Sequence, residues 1–489
     1  MKLRASERKD YALGIDLGTS GVKAGLLNLS TLKLDFVSVK EYGDSPEQDP
    51  ETLWVRTVEA IKEATTWLGG RRSVQGVSLT GQMHGAVLYD AEGNLLAPLI
   101  TWMDRKWSGP VALGKMSAAL GGRSYAELGT EISSGYTAAI LYGIKENAPE
   151  LFARIAHCLL PVDFLRGRLL GKNNYATEPT NAWGTGLFNA QHNCWHADLI
   201  RELQLTLEIL PEVHEASQVA GPISAAVARG TGLQEGTPVI YGGGDNQISM
   251  LGSGLSGPGS PLLVNIGTAA QVSGVSAQFQ RFSGLDTRSF FDGHFAIVGA
   301  SLAGGGSYAW LRSEIQQAEG HGIDYHDMDG LAAEVPPGAG GLIFCPGPTR
   351  QALNRRKGFF GNVAKAADRA FCARAVLEGV IMDLYDSYQT LEREEGREFI
   401  LGAGKGLQRS PVWAQVTADL LGKPLRITAF ENAAFGAALM AAKGIGEVED
   451  LDQALRSIEF AAEMVPDPAR SKTYHEAFIP YWREVVSEA

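Results

Sequence analysis

Tyr241-Gly242-Gly243-Gly244-Asp245-Asn246 puts three glycines and then one carboxylate directly after the apolar run Pro238-Val239-Ile240. An apolar run of this kind is a buried strand, and three glycines at its end allow a sharp bend with positive φ and the close approach of a ligand. The acid follows at the carboxyl end of the strand, where ligands collect in α/β sheets. From these residues alone Asp245 is either a catalytic group or the N-cap of a following helix. The question is what the rest of the chain offers such an acid.

A chain of 489 residues exceeds what one core ordinarily serves and predicts two large domains. The net charge of −12 excludes the basic footprint of a nucleic-acid or acidic-membrane binder. Cys158, Cys194, Cys345 and Cys372 are widely spaced with no CxxC pair, which predicts neither a zinc site nor a disulfide framework and suits a reducing cytoplasm. Met1 to Asp10 lacks an apolar signal core, and no window is apolar for long enough to span a membrane.

Two stretches repeat one pattern of strand, Gly-Thr turn and strand. The first is Tyr11 to Asn28 with Asp16, Gly18, Thr19 and Ser20 at its tip, and Lys23 in the returning strand. The second is Leu262 to Gly274 with Gly267 and Thr268 at its tip. Neither leaves room for a helix, so both are hairpins, and their recurrence predicts an internal duplication of one α/β domain.

Other elements follow from local signals. Asp49 and Pro50 start a helix that buries Trp54, Val58, Ile61 and Leu68 and stops at Gly69-Gly70. The strand Val74 to Thr80 ends in Gly81-Gln82-Met83-His84-Gly85, again at a carboxyl end. Residues 108–230 read as a mostly helical excursion lining a cleft, with Trp183-Gly184-Thr185-Gly186 in a loop-rich patch. Gly252-Ser253-Gly254-Leu255-Ser256-Gly257 matches GxGxxG, but Pro258 and a strand follow instead of a helix, so a flexible linker over Gly252 to Ser260 is predicted and a dehydrogenase is disfavoured. Beyond it lie the glycine-rich Ala303-Gly304-Gly305-Gly306, a helix over Asp368 to Glu392, the strand Glu398 to Leu401, a loop Gly402-Ala403-Gly404, a helix capped by Ser410-Pro411, and a helix from Asn432 to Lys443 in which Gly436 allows close packing.

These parts suit phosphoryl transfer, which needs backbone donors and a cation around the phosphate and an aligned, deprotonated acceptor. Asp245 would be the base and Asp16 a carboxylate near Mg2+. Gly18, Thr19, Gly267 and Thr268 would form the phosphate cradle. One or two carboxylates beside the phosphates suffice for magnesium.

The ordered motifs Gly14-Ile15-Asp16-Leu17-Gly18-Thr19-Ser20, Gly81-Gln82-Met83-His84-Gly85, Trp102-Met103-Asp104-Arg105, Gly243-Gly244-Asp245-Asn246 and Gly402-Ala403-Gly404 resemble those of the FGGY carbohydrate kinases over Tyr11 to Ala442. Gln82-Met83-His84-Gly85 is similar to the ketulose kinase branch. Within that branch Gly242 to Asn246 resembles xylulokinases, and Asn181 to Gly184 with Ala300-Ser301-Leu302 resembles sedoheptulokinases.

The resemblance implies two actin-like ATPase (ribonuclease H-like) domains around a cleft. Residues 1–249 would mainly bind sugar and residues 250–489 mainly ATP. It implies that Asp245 deprotonates a terminal ketose hydroxyl, with Gln82, Met83, His84, Asp104, Asp245 and Asn246 as the substrate set. Gly18, Thr19, Ser20, Lys23, Gly267, Thr268, Gly305, Gly402, Ala403 and Gly404 form the ATP and phosphate set, and Asp16 and Asp245 the Mg2+ set. The chain departs from the family at Pro346 to Arg350, in place of a Gly-Glu-Arg segment, and at Ala269, where a serine is common. A ribulose kinase or a non-catalytic sugar-sensing ATPase on the same fold are the competing readings. The expected partners are a ketose and ATP, without nucleic acid or membrane. A homodimer stays open.

Overall fold

The computed structural model describes residues 10–488 apart from 71, 122, 348–355, 394–395, 430–431 and 457. Most of the Pro346 to Arg350 departure therefore lies outside the described residues.

The first half opens with β1 (Tyr11–Leu17), β2 (Gly21–Asn28) and β3 (Lys33–Glu41), an antiparallel meander. Every residue of β1 is buried, as a central strand covered on both faces must be. Helix α1 (Pro50–Trp67) starts as expected: Asp49 accepts from the Thr52 N–H and Pro50 occupies the first turn. Its buried stripe is Leu53, Thr57, Ala60, Ile61 and Ala64, so Trp54 and Val58 lie at the border of the core and not within it. The guanidinium of Arg168 covers the Trp54 ring at 5.0 Å.

Strand β4 (Val74–Gly81) runs parallel to β1. The excursion follows, with helices such as Pro110–Leu120, Thr137–Asn147 and Pro161–Leu170 and short strands between them. Trp183 and Gly184 close the short helix α2 (Pro179–Gly184), and Trp183 is fully buried, where a loop was expected. The start signal is Glu178, whose carboxylate accepts from the N–H groups of Thr180 and Asn181. Glutamate is an uncommon N-cap, so the pattern gave no warning. Strands β5 (Val219–Pro222) and β6 (Pro238–Gly244) complete the sheet in the order β5-β6-β4-β1-β2-β3.

Helix α3 (Asp245–Gly252) leaves β6 directly. The chain then passes through Gly254 to Ser260, where the Ser260 hydroxyl accepts from the N–H groups of Ser256 and Gly257 and the Ser256 hydroxyl donates to Asp452. The run that matched GxGxxG is thus a pinned turn and carries no nucleotide helix.

The second half repeats the first. Strands β7 (Leu262–Ile266) and β8 (Ala270–Ser276) form the second hairpin, joined by β9 (Asp286–Ser289) and β10 (Phe295–Ser301). Helices α4 (Gly305–Glu319) and α5 (Arg369–Glu392) follow, then β11 (Ile400–Ala403), α6 (Gly404–Arg409), α7 (Pro411–Leu421), β12 (Leu425–Thr428), α8 (Asn432–Gly444) and β13 (Phe460–Met464). The sheet order is β9-β10-β8-β7-β11-β12-β13. In both halves a three-strand antiparallel meander is extended by two parallel strands and closed by an antiparallel one. The expected duplication is therefore present in strand order and direction, with β9 as an extra edge.

Between the two sheets lie α3 and α8, with one apolar core that takes Ala12 and Ile240 from the first sheet and Leu263 and Leu401 from the second. Helix α8, late in the chain, packs across β1 of the first half: a Cβ on Gly14 would stand 2.2 Å from the Ala434 carbonyl oxygen. The two helices also touch through glycine. A Cβ on Gly436 would meet the Ile248 carbonyl oxygen at 2.2 Å, and one on Gly252 the Asn432 carbonyl oxygen at 1.9 Å. Gly436→Ala should thus lower stability by about 1–3 kcal/mol, the usual price of overpacking a fixed site, despite alanine's better helix propensity. Chemical denaturation read by circular dichroism would check this, and an unchanged midpoint would contradict the close crossing.

Candidate active site

The triple glycine answers to its protein neighbours first. The β6–β4 register shifts between Ile240 and Gly243, and within this bulge Gly242 has φ of +84°. A Cβ there would sit 1.8 Å from the Leu79 carbonyl oxygen. Gly243 faces Phe291 and Ile248, and Gly244 faces Met83, each with about 3 Å for a Cβ. Packing against β4, Met83 and Phe291 accounts for these glycines. The bulge turns the chain so that Asp245 is the first residue of α3, at the carboxyl end of β6, while Gly244 holds the cap position. The N-cap alternative for Asp245 is thus replaced by a first-turn position, where the helix dipole favours a negative charge.

Asp245 is half-buried, and its Oδ1 accepts from the Asn246 N–H at 2.8 Å. Burial, and then the negative charge of Asp16, push its carboxyl up to about 7, against the opposing pull of the Asn246 N–H and the Arg288 guanidinium. Asp16 is buried near the end of β1 and pairs with Lys23 at 3.2 Å across the hairpin. Two acids are thus brought together from two parallel strand ends. Among the described residues no group of three or more acidic, histidine or cysteine side chains is placed to hold a metal.

The first hairpin tip is held by its carbonyl oxygens. Gln82 Nε2 and the Tyr42 hydroxyl donate to the Gly18 carbonyl, Gln48 Nε2 to that of Thr19, and the N–H groups of Tyr42 and Gly43 to that of Ser20. Trp102 Nε1 donates to the Thr19 hydroxyl at 3.0 Å. The second tip is tied to the start of α4: the Gly305 N–H donates to the Gly267 carbonyl, and those of Gly304 and Gly306 to that of Thr268. In both tips carbonyls are held by protein donors, the Gly18 N–H donates to the Gly21 carbonyl and the Gly267 N–H to the Ala269 carbonyl, and Ser20, Thr268 and Ala269 are left exposed.

Gln82 thus lies under the first hairpin tip, its Nε2 donating to the Gly18 carbonyl and to Gln48 Oε1. His84 Nδ1 lies 2.6 Å from the Gly184 carbonyl and its ring stacks on Tyr136 at 4.2 Å. Met83 is buried between Gly184 and Gly244. The Asp104 carboxylate accepts from the N–H groups of Lys106, Trp107 and Ser108 and from the Ser108 hydroxyl, so its acceptor sites are filled by its own turn. Gly402 and Ala403 are buried within β11, and Gly402 faces Leu425 and Ile427; only Gly404, with φ of +85°, stands at the open strand end. It begins α6, a helix where the sequence suggested only a loop.

Sequence reasoning passed over Arg288. It is 8% exposed on the edge strand β9, donates through Nη1 to Asn246 Oδ1 at 2.7 Å and through Nη2 to Asp286 at 2.9 Å, and lies 5.0 Å over the Trp183 ring. The available signal was the four-residue polar run Asp286 to Ser289, all of it buried.

Beneath Gly244, whose N–H donates to the Thr180 hydroxyl, lies Glu178, which burial pushes up to about 7. Its usual value is near 4.5, so between about pH 4.5 and 7 the folded chain retains a proton that the unfolded chain releases. Stability should fall as pH rises through that window, by up to about 1.4 kcal/mol per pH unit from this group. Denaturation midpoints at several pH values should show the slope in the native chain and a flatter profile in Glu178→Gln; an unaltered slope would contradict the assignment.

Among the described residues no helix is long and apolar enough to cross a membrane. Comparison with known proteins agrees with the geometry. Profiles of the FGGY family of carbohydrate kinases match residues 11–252 as the N-terminal domain and 259–445 as the C-terminal domain. The xylulose kinase of Bacillus subtilis is 30% identical over 96% of each chain. The crystal structure of the xylulose kinase from Rhodospirillum rubrum superposes with a TM-score of 0.86 at 25% identity, covering 97% of this chain and 98% of that one. A gluconate kinase structure from Lactobacillus acidophilus, at 23% identity and a TM-score of 0.87 over 97% of both chains, shares the fold. With both domain profiles matched in order along a duplicated actin-like fold, the chain belongs to the FGGY family of carbohydrate kinases.

Proposed function

We propose that the chain transfers the γ-phosphoryl group of ATP to a terminal hydroxyl of a ketose, with D-xylulose as the acceptor. The supporting observation is the position of Asp245: one half-buried carboxylate at the start of α3, beside Asp16, with its proton affinity raised toward neutrality. A base matched to neutral pH accepts a hydroxyl proton efficiently and releases it again. The names of the curated relatives favour xylulose over sedoheptulose.

In this reading Asp245 takes the proton as the acceptor oxygen attacks the γ-phosphorus, and ADP leaves. His84, Met83 and Asn246 bound the acceptor, with the His84 ring oriented by Tyr136 and the Gly184 carbonyl. The tips at Gly18–Ser20 and Gly267–Thr268, with Lys23, Gly305 and Gly404, receive the nucleotide. Asp245 lies near enough to Asp16 to feel its charge, and these two carboxylates would hold magnesium. Mg2+ supplies charge neutralisation between phosphate oxygens when bound. Cys158, Cys194 and Cys372 form no disulfide, which suits the cytoplasm, where ATP is available.

Asp245→Asn keeps the size of the side chain and removes the base. It should lower kcat by roughly 10²–10⁴-fold while acceptor binding changes less. A coupled ADP-release assay over D-xylulose, D-ribulose, sedoheptulose and glycerol tests both base and acceptor. Undiminished turnover in the variant would remove Asp245 from its role, and preferred turnover of another sugar would replace D-xylulose.

A further inference from the structure

Asn246 follows the proposed base, and its amide is held at both ends by residues from the other half of the molecule. Arg288 Nη1 on β9 donates to Oδ1 at 2.7 Å, and Nδ2 donates to Gln271 Oε1 on β8 at 2.8 Å. A guanidinium can only donate, so the amide end facing Arg288 must be its oxygen. The flip that is ordinarily ambiguous for asparagine is decided by this charge.

Arg288 is itself fixed. Its Nη2 bonds Asp286, whose other oxygen accepts from the Thr130 hydroxyl at 2.9 Å, and its plane is backed by Trp183. The Trp183 indole N–H donates to the Thr287 carbonyl at 3.1 Å, and the Thr287 N–H to the Gly129 carbonyl at 2.8 Å. Edge strand β9 of the second half is thereby fastened to the excursion of the first. An NH2 group has two N–H bonds, and Gln271 takes one of those on Asn246.

We propose that Arg288 is a positioning residue for the acceptor: with Gln271 it fixes the Asn246 amide so that its second N–H, and not its carbonyl, meets a hydroxyl or carbonyl oxygen of the sugar. The inference rests on the kinase reading above and deepens it, because acceptor recognition is then assembled from both halves. Among the described residues the Arg288 side chain donates to Asn246 and Asp286 and to neither hairpin tip, so its loss should act on the acceptor side.

The test measures KM for D-xylulose and for ATP, with kcat, in the native enzyme and in Arg288→Met, Arg288→Lys, Asn246→Ala and the Arg288→Met/Asn246→Ala double variant. Arg288→Met should raise the D-xylulose KM about tenfold, the scale of one charge-assisted hydrogen bond, with the ATP KM changed less than twofold. Lysine, which still donates to Oδ1, should restore part of the loss. The double variant should be no worse than Asn246→Ala, because Arg288 acts through that amide. If the buried Arg288→Met does not fold, Gln271→Met at its half-exposed position should raise the same KM. An unchanged acceptor KM, or losses that multiply in the double variant, would overturn the inference alone. Failure of the native enzyme to phosphorylate any ketose would overturn the kinase reading and this inference with it.

Discussion

The close crossing of α3 and α8 carries the architecture. Helix α3 begins with Asp245 and ends with Gly252, so one short element holds the acid at its first residue and the tightest backbone contact at its last. At that end the neighbouring helix stands so near that only glycine fits. Because α8 also lies on Gly14 of β1, the strand that delivers Asp16, the two acids are positioned by one packed unit between the sheets. A helix pair that cannot separate or slide fixes where its termini point.

The duplication explains why the chain carries two loops of similar build. In each half a hairpin turns through Gly-Thr, and protein donors bind the turn's carbonyls. The anchors differ: side chains of Gln82, Tyr42 and Gln48 hold the first tip, while the glycine-rich start of α4 holds the second. Gly304 and Gly305 are needed there because a Cβ would fall 2.5 Å from the Ala269 carbonyl and 2.8 Å from that of Gly267. The two tips are alike in strand pattern and unlike in support.

Much of this was legible in the residues. Alternation, caps and Gly-Thr turns gave both hairpins, the α1 and α7 starts and the duplication, because each depends on local backbone chemistry. The acid at Asp245 was also legible. The cause of its glycines was not: Gly242 is glycine because of Leu79, which is distant in sequence, and a long-range clash leaves no local mark. Helix α2 was hidden behind a glutamate cap, and α6 behind glycines that pack on Ile266. On α1 Ile61 and Leu68 are buried as expected, but Leu53 and Thr57 take the core places expected for Trp54 and Val58. The hydrogen bonds that Asp104 and Gln82 make to the protein's own loops left no mark in the motifs that named them. Arg288 escaped notice because its role depends on Asn246, forty-two positions earlier.

The claim on which everything else depends is that the acid and the two Gly-Thr tips converge on one phosphate. A crystal structure with D-xylulose and a nonhydrolysable ATP analogue with magnesium measures it directly. The account predicts a terminal sugar hydroxyl about 3 Å from the Asp245 carboxylate, within reach of a base, and the γ-phosphate between the tips at Thr19 and Thr268. A γ-phosphate bound away from Asp245, with the sugar hydroxyls turned toward other residues in the closed complex, would contradict it.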